Sequence, residues 1–219
     1  HHDIILSDLS PNMTYYYNIL SCDAVGNCNE SRIYTLGNFT TFPEFEITFC
    51  RELAQENGVY VMKKDIIEDT SSGSCISIIA PNITFDCQGY SINMETSIGV
   101  FSNSSYTTIK NCNITGKGGD YGVSGIYLVR ANNSYIFNNT LNNQNTGLQA
   151  LYSNYARIEN NTAELNTIGF QIYESNHNIL INNNASSNRG YGIYLYSVSN
   201  NTLKNNNMSN NTAANFYIF

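Results

Sequence analysis

Glycines 125, 147, 169 and 192 stand 22, 22 and 23 residues apart, and each opens a string of one kind: GIYLVRANNSYIFNN, GLQALYSNYARIENN, GFQIYESNHNILINN and GIYLYSVSNNTLKNNN. A second column, Ile109, Ile136, Ile158, Ile181 and Leu203, advances by 27, 22, 23 and 22. Two columns with one period define a repeat too short to bury a face alone, so its copies must stack into a continuous core. The chain is read as a solenoid.

The local pattern sets the kind of solenoid. After each glycine the apolar residues alternate, as in Ile126 and Leu128, Leu148 and Ala150, Phe170 and Ile172, Ile193 and Leu195, and Phe216 and Ile218. Period two marks strands, and no stretch shows helical spacing. Short strands separated by Asn, Ser and Gly clusters leave room for two or three per coil, with successive coils about 4.8 Å apart in parallel sheets. The 36 asparagines support this, because they fall in pairs such as Asn138-Asn139, Asn160-Asn161, Asn182 to Asn184 and Asn205 to Asn207. Asparagine tolerates the left-handed backbone of a sharp corner, and stacked amides hydrogen-bond from coil to coil. The strict apolar columns argue against a prion-like tract. Strand parity leaves open which asparagine of each pair points inward.

These strings resemble the right-handed parallel β-helix repeats of the pectate-lyase-like superfamily, including its carbohydrate-binding and sugar-hydrolase repeat class. The lead-in GVYVMKKDIIEDTSSGSCISIIAPNITFDCQGYSI is similar to the opening of such domains in archaeal and bacterial surface proteins, and the resemblance covers roughly residues 44 to 219. It implies an all-β fold of about six coils of 22 to 27 residues. It implies no single function, since the superfamily mixes lyases, hydrolases, tailspikes and inert scaffolds. The stretch LSDLSPNMTYYYNILSCDAVGNC resembles the second half of a fibronectin type III domain, with a tyrosine-corner pattern at Leu9, Pro11 and Tyr15. The expected organisation is the last strands of that β-sandwich in 1–43, a linker and cap in 44–80, and coils in 81–219. The missing part of the sandwich and the uncapped string NFYIF mark the chain as a piece of a longer one whose coils continue or whose open edge meets a partner.

Charged residues make up 12% of the chain and the net charge is −7, which leaves no basic footprint for nucleic acid. No run reaches the roughly 18 apolar residues of a membrane span. Six cysteines together with N-x-[ST] strings at Asn12, Asn29, Asn38, Asn82, Asn113 and Asn207 favour an oxidising, extracellular or cell-surface location. The expected pairings are local: Cys22 with Cys28 across a hairpin, Cys50 with Cys75 at the cap, and Cys87 with Cys112 between adjacent coils. Two buried thiols are the alternative for the last pair.

A polysaccharide lyase of this fold needs clustered carboxylates and a base, and a hydrolase needs paired carboxylates. The acids of the coils, Asp86, Glu95, Asp120, Glu159, Glu164 and Glu174, never share a column in neighbouring coils. Lys110, Glu159 and Lys204 share an outward column two coils apart, as do Arg130 and Glu174 in another; at about 10 Å these read as solvated surface charges. No catalytic residue, metal ligand or cofactor is expected here, and His177, in ESNHN, reads as a turn residue.

One surface feature stands out. The alternation turns Tyr127, Gln149, Gln171, Tyr194 and Tyr217 outward, and Tyr173 and Tyr196 beside them. Sugars stack on aromatic rings and bond to amides and hydroxyls, so this stripe is a candidate surface for polysaccharide or cell-surface glycan. Tyrosine also simply suits exposed strands, and a stripe of this kind equally suits self-association or a neighbouring domain. The expected function is a non-catalytic extracellular structural protein, adhesive or glycan-binding. The rival is a polysaccharide lyase or glycoside hydrolase whose catalytic residues lie outside these coils.

Overall fold

The computed structural model describes residues 44–67, 73–94, 98–117 and 123–219, with the backbone of four short strands before them. The chain divides into two compact units, His1–Glu44 and Phe45–Phe219. In the first, Thr14–Tyr17 pairs antiparallel with Gly37–Thr40, and Ser21–Cys22 with Cys28–Asn29, where Cys22 faces Cys28 in register. Leu9, Pro11, the side chain of Tyr15 and the expected Cys22–Cys28 bridge lie outside what is described.

The second unit is a parallel β-helix of three sheets. The isoleucine sheet stacks Glu44–Ile47, Val59–Met62, Thr84–Asp86, Thr108–Lys110, Tyr135–Phe137, Arg157–Glu159, Ile179–Ile181 and Thr202–Lys204. The short sheet stacks Ile66–Ile67, Ser91–Asn93, Asn113–Thr115, Thr140–Asn142 and Thr162–Glu164. The glycine sheet stacks Arg51–Leu53, Ser74–Ile78, Ile98–Ser102, Ser124–Val129, Thr146–Leu151, Ile168–Tyr173, Tyr191–Tyr196 and Ala214–Ile218. Five turns visit the three sheets in that order, the first and the last two turns having no strand in the short sheet, and every strand lies on its equivalent one turn earlier. Phe85, Ile109, Ile136, Ile158 and Leu180 form one inward column, Leu180 standing in place of the expected Ile181, which pairs in register with outward Glu159. Ile126, Leu148, Phe170 and Ile193 form another, and all of both columns are fully buried. Burying each such side chain contributes roughly 2 kcal/mol.

About seven turns are present rather than the expected six, because residues 59–78 of the segment assigned to linker and cap already place a strand in all three sheets. This turn lacks the marks that reveal the others: Tyr60 stands in the isoleucine column, and Cys75 lies beside Gly99 in the glycine column.

The glycines of that column are required by close approach. A Cβ at Gly147 would lie 2.7 Å from the carbonyl oxygen of Gly169 and 2.8 Å from the Cβ of Ala163. The column starts at Cys50, disulfide-bonded to Cys75 with 4.4 Å between Cα atoms, and its last residue is Asn215. A second disulfide joins Cys87 and Cys112 across adjacent turns, Cα atoms 4.8 Å apart, the natural spacing of stacked strands and within disulfide reach.

The asparagine pairs divide their work. Asn138, Asn160, Asn182 and Asn205 take φ of 54 to 55° and turn the corner. Asn139, Asn161 and Asn183 point inward and are 1% exposed. Asn139 Nδ2 donates to the Ile109 carbonyl at 3.1 Å and to Asn161 Oδ1 at 2.9 Å, while Asn161 Oδ1 also accepts from the Asn139 backbone N–H at 3.0 Å. The same bonds recur from Asn161 to Asn183 and from Asn183 to Asn206. A second ladder of this kind runs Asn166, Asn188, Asn211 at the corner before the glycine sheet. There Asn211 donates from both its backbone and side-chain nitrogens to Asn215 Oδ1, at 3.2 and 3.1 Å. Buried amides satisfied in this way avoid the cost of unpaired polar groups.

Candidate binding face of the solenoid

Strand alternation puts the stripe on the outside of the glycine sheet. Phe101, Tyr127, Gln149, Gln171, Tyr194 and Tyr217 are register partners on successive strands, and Leu151, Tyr173 and Tyr196 form the column beside them. All are half-buried except Tyr217, which is 37% exposed. The rings pack along the solenoid axis: Tyr173 on Tyr196 at 4.7 Å, Tyr196 on Phe219 at 5.1 Å, and Tyr194 on Tyr217 at 5.2 Å. Tyr191 meets Tyr194 edge to face and lies tilted against Tyr217. Parallel stacking occupies ring faces with one another, so the surface offers mainly ring edges and hydroxyls. Desolvation by burial raises the phenol pKa of Tyr127, Tyr173 and Tyr194 above the usual value; Tyr152 adds to the first, Glu174 to the second and Tyr217 to the third. These phenols stay protonated, able both to donate and to accept.

The sequence reading missed Tyr152. It occupies a left-handed corner at the end of its strand, in the column Arg130, Tyr152, Glu174 and Ser197, with φ of 53, 52, 44 and 51°. The left-handed backbone costs such residues about 1 to 2 kcal/mol. Tyr152 is 39% exposed, and the Arg130 guanidinium carbon lies 5.5 Å from its ring centroid. Arg130 and Glu174, expected as solvated surface charges two coils apart in one column, therefore flank an aromatic ring between them. The repeat spacing carries the signal, since Tyr152 lies 22 residues from each neighbour in the column.

The outer face of the isoleucine sheet differs. Lys110 is not a lone solvated charge: its Nζ lies 3.1 Å from Asp86 Oδ2 on the preceding strand, and it faces the Phe137 ring at 5.9 Å. Glu159 Oε2 accepts from Arg157 Nε at 2.7 Å and from the Tyr135 hydroxyl at 3.0 Å, and these bonds hold its carboxyl below the usual range. Tyr135 stacks on Phe137 at 4.5 Å. Burial tends to raise the Asp86 pKa, but hydrogen bonds from Asn111, the Gln88 backbone and Lys110 outweigh it and hold Asp86 below its usual value. Beside this network a polar groove of about 430 Å³ is lined by Gln88, Gly89, Asn111, Asn113, Asn138 and Thr140. Part of its lining comes from the four-residue connection 87–90, which turns through Gly89 at φ 85°, where the next turn has a two-residue corner.

Of the glycosylation candidates, Asn82, Asn113 and Asn207 are exposed. Each donates its Nδ2 to an earlier turn, to Asn57 Oδ1, the Gly89 carbonyl and Asn184 Oδ1 respectively. The side chains of Asn12, Asn29 and Asn38 lie outside the described residues. His177 sits in a left-handed corner at φ 57° and stacks on Tyr155 at 4.9 Å. Among the described residues no three His, Cys, Asp or Glu side chains converge, and no helix is long and apolar enough to cross a membrane.

Residues 96–219 match the family model described as right handed beta helix region. No curated protein matches the sequence. A mutant of the periplasmic alginate epimerase AlgG is similar at TM-score 0.50 and 19% identity, over 68% of this chain and 35% of that one. A second AlgG structure gives 0.44 and 12%, over 74% and 51%. The Azotobacter vinelandii mannuronan C-5 epimerase AlgE4 A-module gives 0.32 and 8%, over 80% and 86%. At these identities the similarity concerns the fold, and the chain spans about a third of the first of these proteins. Three stacked parallel sheets and a family match over more than half of the sequence make this chain a member of the right-handed β-helix family.

Proposed function

We propose that this β-helix is a non-catalytic extracellular module that holds polysaccharide along the outer face of the glycine sheet. The observation that carries the reading is the continuous surface of phenol hydroxyls and amides from Tyr127 to Tyr217, on strands held rigidly in register. Such groups, on aromatic bodies, are the mixture that orients sugars. The pairing of Asp86 with Lys110 and of Glu159 with Arg157 supports a non-catalytic role, because both acids are committed to salt bridges. Two disulfides support an oxidising compartment. The exposed sequons and the fibronectin-like segment suit a glycosylated surface protein.

The test replaces Tyr173, Tyr194 and Tyr196 with Ala and measures retention on a glycan array, with circular dichroism reporting the fold. Retention is expected to fall by tenfold or more, about 1.4 kcal/mol. Equal retention by a folded variant removes the carbohydrate role of this face. Cleavage of a retained polysaccharide by the chain replaces the non-catalytic part.

A further inference from the structure

We infer that the polymer this face accepts is a neutral polysaccharide rather than a uronate, an inference that rests on the reading above and narrows its ligand. From Ile98 onward, the described glycine-sheet strands and the residue after each carry two charges, Arg130 and Glu174. Arg130 lies over the Tyr152 ring, and Glu174 stands beside Tyr173. A polyuronate brings one carboxylate per sugar. Each would have to shed water against phenols and amides, with Arg130, seated over the Tyr152 ring, as the single cation of these strands to replace that hydration. Glu174 and the chain's net charge of −7 repel it further.

Four of the other cations are engaged or placed elsewhere. Lys110, Arg157 and Lys204 belong to the isoleucine sheet, the first two already paired with acids, and Arg189 donates to the Leu165 carbonyl. Neutral sugar hydroxyls suit the surface directly. Each donates and accepts, as do the phenols of Tyr127, Tyr173 and Tyr194 and the amides of Gln149 and Gln171. One turn per strand spacing repeats this chemistry along the axis, which matches a linear polymer better than a single small molecule.

The test compares retention of the purified chain on neutral polymers (β-glucan, mannan, xylan) and on uronate polymers (polygalacturonate, alginate), each at low and high salt. The expected result is retention on a neutral polymer, insensitive to salt, with none on the uronates. The triple variant Tyr173→Phe, Tyr194→Phe and Tyr196→Phe keeps the rings stacked and removes three hydroxyls, so retention falls about tenfold. Salt-sensitive retention on uronates alone overturns the inference and leaves polysaccharide binding standing. Retention on no polymer overturns both. Retention on a neutral polymer that the Phe variant leaves unchanged moves the ligand off this face and overturns the assignment.

Discussion

One buried corner of the solenoid is tied together in two ways. On the inner side of the turn between the isoleucine and short sheets, Cys87 and Cys112 are joined covalently, and the same column continues as Asn139, Asn161, Asn183 and Asn206. The two devices meet where the Cys112 backbone N–H donates to Asn139 Oδ1 at 3.0 Å. A disulfide links two turns whatever the corner around it does. An amide ladder works only if every turn presents its asparagine at one height, which demands a short corner with its first residue left-handed. The disulfide stands beside the long connection through Gln88 and Gly89, and the ladder begins where the corners become uniform. Irregular turns are held by a covalent bond and regular ones by repetition.

The contrast is broken most severely at the ladder. Asn161→Leu removes the acceptor of the Asn139 backbone N–H and the amide donor to the Ile136 carbonyl, and takes one of two bonds each from the Asn139 amide and Asn183 Oδ1. At about 1 to 3 kcal/mol per stranded buried group, a loss of about 4 kcal/mol is expected in urea unfolding. A loss below 1 kcal/mol would show that the ladder follows the stack rather than holding it.

Replacing Cys87 and Cys112 with Ser is expected to cost roughly 3 kcal/mol. Combining Cys87→Ser with Cys112→Asn extends the ladder by one amide and recovers about 1 kcal/mol of that. Equal stability of the two variants would mean that this corner is too irregular for an amide to register.

The smallest difference concerns pH. Amides do not titrate, whereas Asp86 beside the disulfide has its pKa lowered in the folded chain. Its contribution is present above the unfolded carboxylate value of about 3.9 and fades as pH falls through the lower folded value. Asp86→Asn should flatten part of the acid-range decline in stability, by less than about 1 kcal/mol. Superimposable acid titrations of the two proteins would assign that decline elsewhere.

The solenoid was legible because two chemical demands repeat visibly: glycine where the next carbonyl comes close, and an aliphatic anchor in the bore. The turn at 59–78 escaped because Cys75 and Tyr60 meet those demands with other side chains. The inward asparagine was undecided because strand parity stops at the corner, where the left-handed residue resets the alternation. Tyr152 was missed for the same reason: it lies one residue past the last alternating position. The Asp86–Lys110 pair escaped because Phe85 interrupts the run of isoleucines that would have aligned it with Ile109. The stripe itself was read from alternation alone, but the stacking that turns ring faces toward one another depends on rotamers that no spacing reveals.

Asn215 bears on any effort to lengthen this rod by duplicating its unit. The Asn211 amide fills the space that Gly192 leaves free one layer earlier, and Asn215 Oδ1 supplies the acceptor that Asn211 would otherwise take from a subsequent layer. Splicing an additional copy after Phe219 therefore calls for glycine at 215, so that the newcomer's own amide can enter.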